Sequence, residues 1–150
     1  MPTYQDSFEN LLVGDLNTRE LTREGFVLKL PEDVRLRVEP SSKDGKKITG
    51  DGGLHFPSSA TFSFYAKTDR AQKLKKFSIL INTRSPDGTK PQFKAFAVDG
   101  TVESHEFALG DYALDYTTGK DIEHIDFIVP VSADQGVDFS ITDITTVYVD

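Results

Sequence analysis

The residue whose setting asks for chemistry is Asp143. It interrupts the stretch 137–149, Val-Asp-Phe-Ser-Ile-Thr-Asp-Ile-Thr-Thr-Val-Tyr-Val. Val137, Phe139 and Ile141 alternate with Asp138, Ser140 and Thr142, the period-two pattern of a half-buried strand. Asp143 then falls where an inward residue is due, and Ile144 resumes the apolar set one position late. The slip predicts either a β-bulge or an acidic side chain turned inward. An inward carboxylate requires a partner, because an unpaired buried charge is costly. A hard cation or a cluster of backbone donors meets that need.

The other reactive residue types lack the spacing that catalysis requires. His55, His105 and His124 stand far apart and form neither His-x-His nor His-Glu-x-x-His. There is no Cys, so thiolate nucleophiles, thiolate metal sites and disulfides are excluded. No Gly-x-Ser-x-Gly is present, and Gly50-Asp-Gly-Gly53 lacks the Lys-Ser/Thr of a phosphate loop. Asp111 and Asp115 resemble a glycosidase pair only in type, since 24 acidic residues make such pairs common here. No enzymatic activity is expected.

The elements that must position these groups are short strands. Segments 26–30, 34–38, 61–67, 77–81, 92–98, 102–109, 112–116 and 122–131 carry apolar residues in alternation or in short runs. They are punctuated by Pro31-Glu-Asp33, Ser85-Pro-Asp-Gly88, Asp99-Gly100, Gly110-Asp111 and Thr118-Gly119, which read as turns. Residues 40–47 and 50–53 read as loops, 16–24 as a polar stretch with one helical turn, and 69–76 as an exposed connection. No segment sustains a 3.6-residue apolar period. Nine or more strands at 8–12-residue spacing predict an all-β fold, an antiparallel two-sheet β-sandwich or jelly roll, in one domain over 1–150.

Charge narrows the partners. The net charge is −7, but residues 1–97 hold 16 Lys/Arg and 12 Asp/Glu, while 98–150 hold one Lys and 12 Asp/Glu. An acidic C-terminal third argues against nucleic acid. It suits either oxygen ligands for Ca²⁺ or a solvated face. No apolar run reaches the length of a membrane span. The start, Met-Pro-Thr-Tyr-Gln-Asp, has neither the basic nor the apolar region of a signal peptide.

The opening Asp-Ser-Phe-Glu (6–9) and closing Phe-Ser-Ile-Thr-Asp-Ile (139–144) resemble non-catalytic carbohydrate-binding modules of the galactose-binding-like jelly-roll superfamily. Thr-Phe-Ser-Phe-Tyr-Ala-Lys (61–67) looks like their Leu-x-Phe-x-x-Lys strand, and Ile-Glu-His-Ile-Asp-Phe-Ile (122–128) like their penultimate strand. The resemblance implies first and last strands side by side, sharing a structural calcium. Carried onto this sequence it implicates Glu9 and Asp143, with Asp6 as a further ligand and 45–53 as a source of carbonyls. Thr142 departs from the pattern, which often has Asp there. The alternative is that these carboxylates bind backbone donors or a Lys. The resemblance also implies an extracellular or cell-surface, bacterial setting, within a larger or oligomeric protein.

Sugar sites pair an aromatic surface with planar polar groups that fork onto hydroxyls. Trp, the usual platform, is absent. The predicted outward faces hold Tyr65, Phe96, Tyr112 and Tyr116 beside Arg35, Arg37, Asn82, Arg84, Gln92 and Lys94. Tyr65, Asn82, Arg84, Gln92 and Lys94 share one face if their strands are neighbours, with Tyr112 a further contact. A row of Arg and Lys there suits an anionic sugar. The rival expectation is a structural or adhesive sandwich module with no sugar site.

Overall fold

The computed structural model describes residues 2–41, 45–52, 59–67, 72–85, 87–132 and 136–149. His55, part of the 45–53 loop and part of the 69–76 connection lie outside the described residues. The strands are β1 (Thr3–Asp6), β2 (Gly14–Asp15), β3 (Glu20–Thr22), β4 (Val27–Lys29), β5 (Val34–Pro40), β6 (Lys46–Gly52), β7 (Ser59–Tyr65), β8 (Lys73–Thr83), β9 (Gln92–Ala97), β10 (Val102–Glu106), β11 (Gly110–Thr117), β12 (Ile122–Pro130) and β13 (Val137–Val149). Among the described residues no helix is long and apolar enough to cross a membrane.

The strands form two antiparallel sheets, as the turn spacing predicts. One, sheet A, has the order β11-β8-β13-β6-β5-β2, with β1 added against β13. The other, sheet B, has the order β10-β9-β12-β7-β4-β3. β13 is the longest strand and the spine of sheet A. It pairs with β8 along its length, with β6 through residues 137–141, and with β1 through residues 144–147. The change of partner falls at the bulge: Thr142 pairs with Leu80 and Thr145 with Ser78, so two residues oppose one. Asp143 sits there at φ 51, in the left-handed region that a bulge imposes on it. Its side chain is half-buried, so the slip in alternation is a bulge rather than a carboxylate driven into the core.

The inner faces enclose one phenylalanine-rich core. Phe62, Phe64, Phe77, Phe127 and Phe139 are all buried, and Phe62 stacks on Phe127 and on Phe139 at 5.2 and 4.7 Å. Such ring pairs add about 0.5–1.5 kcal/mol each beyond their area burial. Tyr148 brings the only buried phenol tip to a satisfied end among these core rings: its hydroxyl donates to Gly25 O at 2.8 Å and accepts from Lys67 N at 2.9 Å.

Several segments depart from the sequence expectation. Residues 16–24 hold no helical turn; their Leu21 packs on the core from edge strand β3. The 50–53 glycines are not a loop up to Gly52, because β6 runs through them. A Cβ on Gly50 would lie 2.5 Å from the Phe139 ring, so the glycine leaves space for the core inside a strand. β8 begins at Lys73, within the expected connection, and Gly110-Asp111 pairs into β11.

Candidate functional site

Paired residues in antiparallel strands point to the same side of a sheet, so the registers define rows of side chains. On the outer face of sheet B one row runs Val102, Phe96, His124, Tyr65, Val27 and Thr22. Beside it runs a polar row, Ser104, Lys94, Asp126, Ser63, Lys29 and Glu20. On the outer face of sheet A the corresponding row is Asp111, Asn82, Ser140, Thr49, Arg37 and Asp15. The two outer faces therefore differ in kind.

The sheet-B row is a ladder of stacked rings. His124 lies between Phe96 and Tyr65, at centroid distances of 4.3 and 4.7 Å and interplanar angles of 12° and 18°. Rings this close and this parallel stand face to face, so their rims form the outward surface. Lys29 Nζ lies 4.4 Å over the Tyr65 ring, a cation–π contact that also brings a donor to the apolar strip. The His124 imidazole has Glu123 Oε1 3.2 Å from Nδ1 and Asp126 Oδ1 3.7 Å from Nε2. Asp126 accepts from Ser63 Oγ at 2.6 Å. This face holds an apolar ridge and a line of donors and acceptors side by side.

The sheet-A face is concave and polar. A groove of about 560 Å³ crosses it, with Ser140, Thr49 and Thr142 as short hydroxyl-bearing floor residues. Its charged lining is Glu39, Asp51, Asp111 and Asp138 against Lys47 and Arg84. Asn82 Nδ2 donates to Asp111 Oδ1 at 2.7 Å, and Arg35 clamps Asp51 in two bonds of 2.9 and 3.1 Å. No aromatic side chain among the described residues points outward here; Phe139 meets the groove only from beneath, being buried.

The residues expected on one face are thus divided. Tyr65, Gln92 and Lys94 lie on the outside of sheet B, Asn82 on the outside of sheet A, and Arg84 just beyond β8 at the groove. β7 and β8 follow each other in sequence but belong to different sheets, so the shared-face expectation fails. Tyr112 is a second correction: it pairs with Ile81, shares its inward side, and packs on Phe107 at 5.6 Å. Tyr116 is inward for the same reason. Phe96 is outward as expected. The spacing of the histidines gives His124 no role; only the pairing of β12 with both β7 and β9 reveals that it joins two rings.

Tyr116 donates its phenolic hydrogen to Glu103 Oε2 at 2.7 Å. Burial, and then the Glu103 bond, push its pKa up to about 12. The unfolded phenol ionises near 10. Stability from this group is therefore intact below pH 10 and falls as pH rises toward 12. Subtracting the ultraviolet titration of Tyr116→Phe from that of wild type is expected to leave one phenol titrating near 12.

The first and last strands are neighbours, as the resemblance implies, and Glu9 and Asp143 line one surface concavity with Gln5, Asp6, Ser7, Gly45 and Thr145. The calcium set is nevertheless a poor match. Asp6, one of the three implicated carboxylates, is held in a two-bond ion pair by Arg23 at 2.6 and 2.9 Å. Its Oδ1 also accepts from Phe8 N at 2.9 Å. Among the described residues no three His, Cys, Asp or Glu side chains converge as a metal cluster.

No family model matches the sequence, and no curated protein matches it. Solved structures do. A family 61 carbohydrate-binding module solved with β-1,4-galactotriose aligns with 91% of this chain and 99% of its own, at 12% identity and a TM-score of 0.54. The C-terminal family 22 carbohydrate-binding module of a Clostridium thermocellum protein aligns over 97% of this chain and 92% of its own, at 10% identity and the same TM-score, 0.54. An exo-β-agarase aligns over 92% of this chain at 9% identity and a TM-score of 0.56, but this chain spans only 25% of it. At such identities it is the arrangement of strands that is shared. Over nine-tenths of its length, this chain has the β-sandwich fold of carbohydrate-binding modules.

Proposed function

We propose that this protein is a non-catalytic glycan-binding module whose site is the outer face of sheet B. The observation that carries the reading is the Val102–Phe96–His124–Tyr65–Val27 strip running across the strands beside Lys94, Asp126, Ser63 and Lys29. Sugars offer C–H surface and hydroxyls together, and this is the face that offers an apolar ridge and polar groups together. Lys94 stands opposite Asp126 and Lys29 opposite Glu20, so the polar row is balanced in charge. That balance favours a neutral glycan over the anionic one suggested by a row of Arg and Lys. The neighbour solved with β-1,4-galactotriose, another solved with mannohexaose and a xylan-binding domain share the fold and make galactan, mannan and xylan oligosaccharides the first ligands to try. Because the ring faces cover one another, contact is with their rims, and single-site affinity is expected to be modest. A module of this kind works where polysaccharide is, outside the cell or on its surface, and gains avidity when repeated or joined to another domain.

Calorimetric titration with galactan, mannan and xylan oligosaccharides tests this. Wild type is expected to bind at least one of them. Phe96→Ala and Tyr65→Ala are each expected to weaken binding about tenfold or more, equivalent to about 1.4 kcal/mol, while Asn82→Ala and Arg84→Ala leave it unchanged. The opposite pattern moves the site to the sheet-A groove. No binding to any glycan favours a structural or adhesive module.

A further inference from the structure

We propose that the junction between the first and last strands is closed by the chain's own cations, Lys46 and Arg23, where the resemblance puts calcium. The junction brings together β1, the turn after it, the start of β6 and the bulge of β13. Several of its oxygens are already engaged as acceptors. Ser7 O accepts from Lys46 N at 2.7 Å, Glu9 O from Lys46 Nζ at 2.6 Å, and Lys46 O from Thr142 Oγ1 at 2.7 Å. Both oxygens of Asp6 are taken by Arg23, which also donates to Asn10 Oδ1 at 2.7 Å. Among the described residues the carboxylates of Glu9 and Asp143 remain, and two carboxylates fall short of the six to eight oxygens that Ca²⁺ collects.

The two cations do what a bound ion does in such a place: they tie separate segments to one another. Lys46 links β6 to the N-terminal turn through its amide and its ammonium, and to β13 through its carbonyl. Arg23 links the β3–β4 turn to β1, and its guanidinium lies 5.5 Å from the centroid of the buried Phe8 ring. The Asp6–Arg23 pair is largely sheltered, with side-chain exposures of 16% and 15%, so its partners are not readily replaced by water. The hydrogen bond to Asp6 keeps Arg23 charged by raising its pKa. The β6 entry also meets the N-terminal turn directly: a Cβ on Gly45 would lie 2.6 Å from Ser7 O. Thr142, a hydroxyl where the family pattern often has a carboxylate, fits the same arrangement, since it donates to Lys46 O where a carboxylate would only accept.

Thermal unfolding in excess EDTA and in millimolar CaCl₂ tests the proposal. Wild type is expected to show the same Tm in both. Lys46→Met is expected to lower Tm by about 2–4 °C and Arg23→Met by about 5–10 °C, the second leaving a sheltered carboxylate unpaired. A wild-type Tm that falls in EDTA and returns with Ca²⁺ overturns the proposal. So does wild-type stability in both variants. Should Arg23→Met fail to fold, calorimetric titration of wild type with CaCl₂ decides: saturable binding heat overturns the proposal, and its absence with a lowered Tm in Lys46→Met upholds it.

Discussion

Truncating Phe127 to alanine is expected to remove about 3–5 kcal/mol of folding stability. The ring is fully buried on β12 and stacks on Phe62 at 5.2 Å and 8°. Phe64, Phe77, Phe93 and Phe107 also surround it, at centroid distances of 5.6 to 6.1 Å. Phe62, Phe64 and Phe93 come from the same sheet as Phe127, while Phe77 comes from β8 across the sandwich. Removal therefore empties the layer between the sheets at a point no neighbour can refill by a rotamer change. The rings are braced by the others they stack on, so collapse into the void is limited and the cost stays near the top of the range. Urea unfolding followed by circular dichroism checks this. The midpoint should fall while the slope is unchanged, since the same surface is exposed on unfolding. A loss below about 1 kcal/mol would mean that the core is loosely packed there and that its ring stacking contributes little.

Gly136→Ala is expected to cost about 2–4 kcal/mol. Gly136 has φ 74 and forms the entry to β13. It exchanges hydrogen bonds with Ser132, N to O at 2.8 Å and O to N at 2.9 Å, and bridges Gly52 at the end of β6. A methyl group there would overlap the Gly52 carbonyl, a backbone group with no rotamer to yield. The strain of an alanine at positive φ adds to that overlap. The displaced residues would be Val137, which is buried, and Asp138, which lines the sheet-A groove, so both stability and that groove respond. If glycan binding sits on sheet B, affinity should survive in the folded fraction of Gly136→Ala. Calorimetry on the variant below its Tm measures this, and lost affinity would point to the groove instead.

The sequence makes much of this architecture visible and leaves the faces hidden. β13 is legible because its thirteen positions hold no Gly or Pro and alternate on either side of one slip, and the bulge is legible because Asp143 shifts the phase by one. Alternation also marks Tyr65, Asn82 and Lys94 as pointing away from the core. It does not tell which sheet each belongs to, since a sandwich has two outer sides. That depends on pairings such as β8 with β13, which lie far apart in the chain and leave no local trace. The inward turn of Tyr112 was recoverable: it shares parity with Leu114, whose burial fixes that side of β11. The His124 ladder was not, because it requires β7 and β9 to flank β12 in one register. Asp6 reads as a metal ligand by its place in a motif, and only the fold brings Arg23, seventeen positions later, onto its oxygens.

The antiparallel pairing of β1 with β13 sets how this seam yields to force. Tyr148 N donates to Pro2 O at 3.0 Å, so the two residues lie about one strand spacing of 4.8 Å apart. A pull that separates Pro2 from Tyr148 would load the bonds of the seam one after another, as a zipper opens, and not all at once.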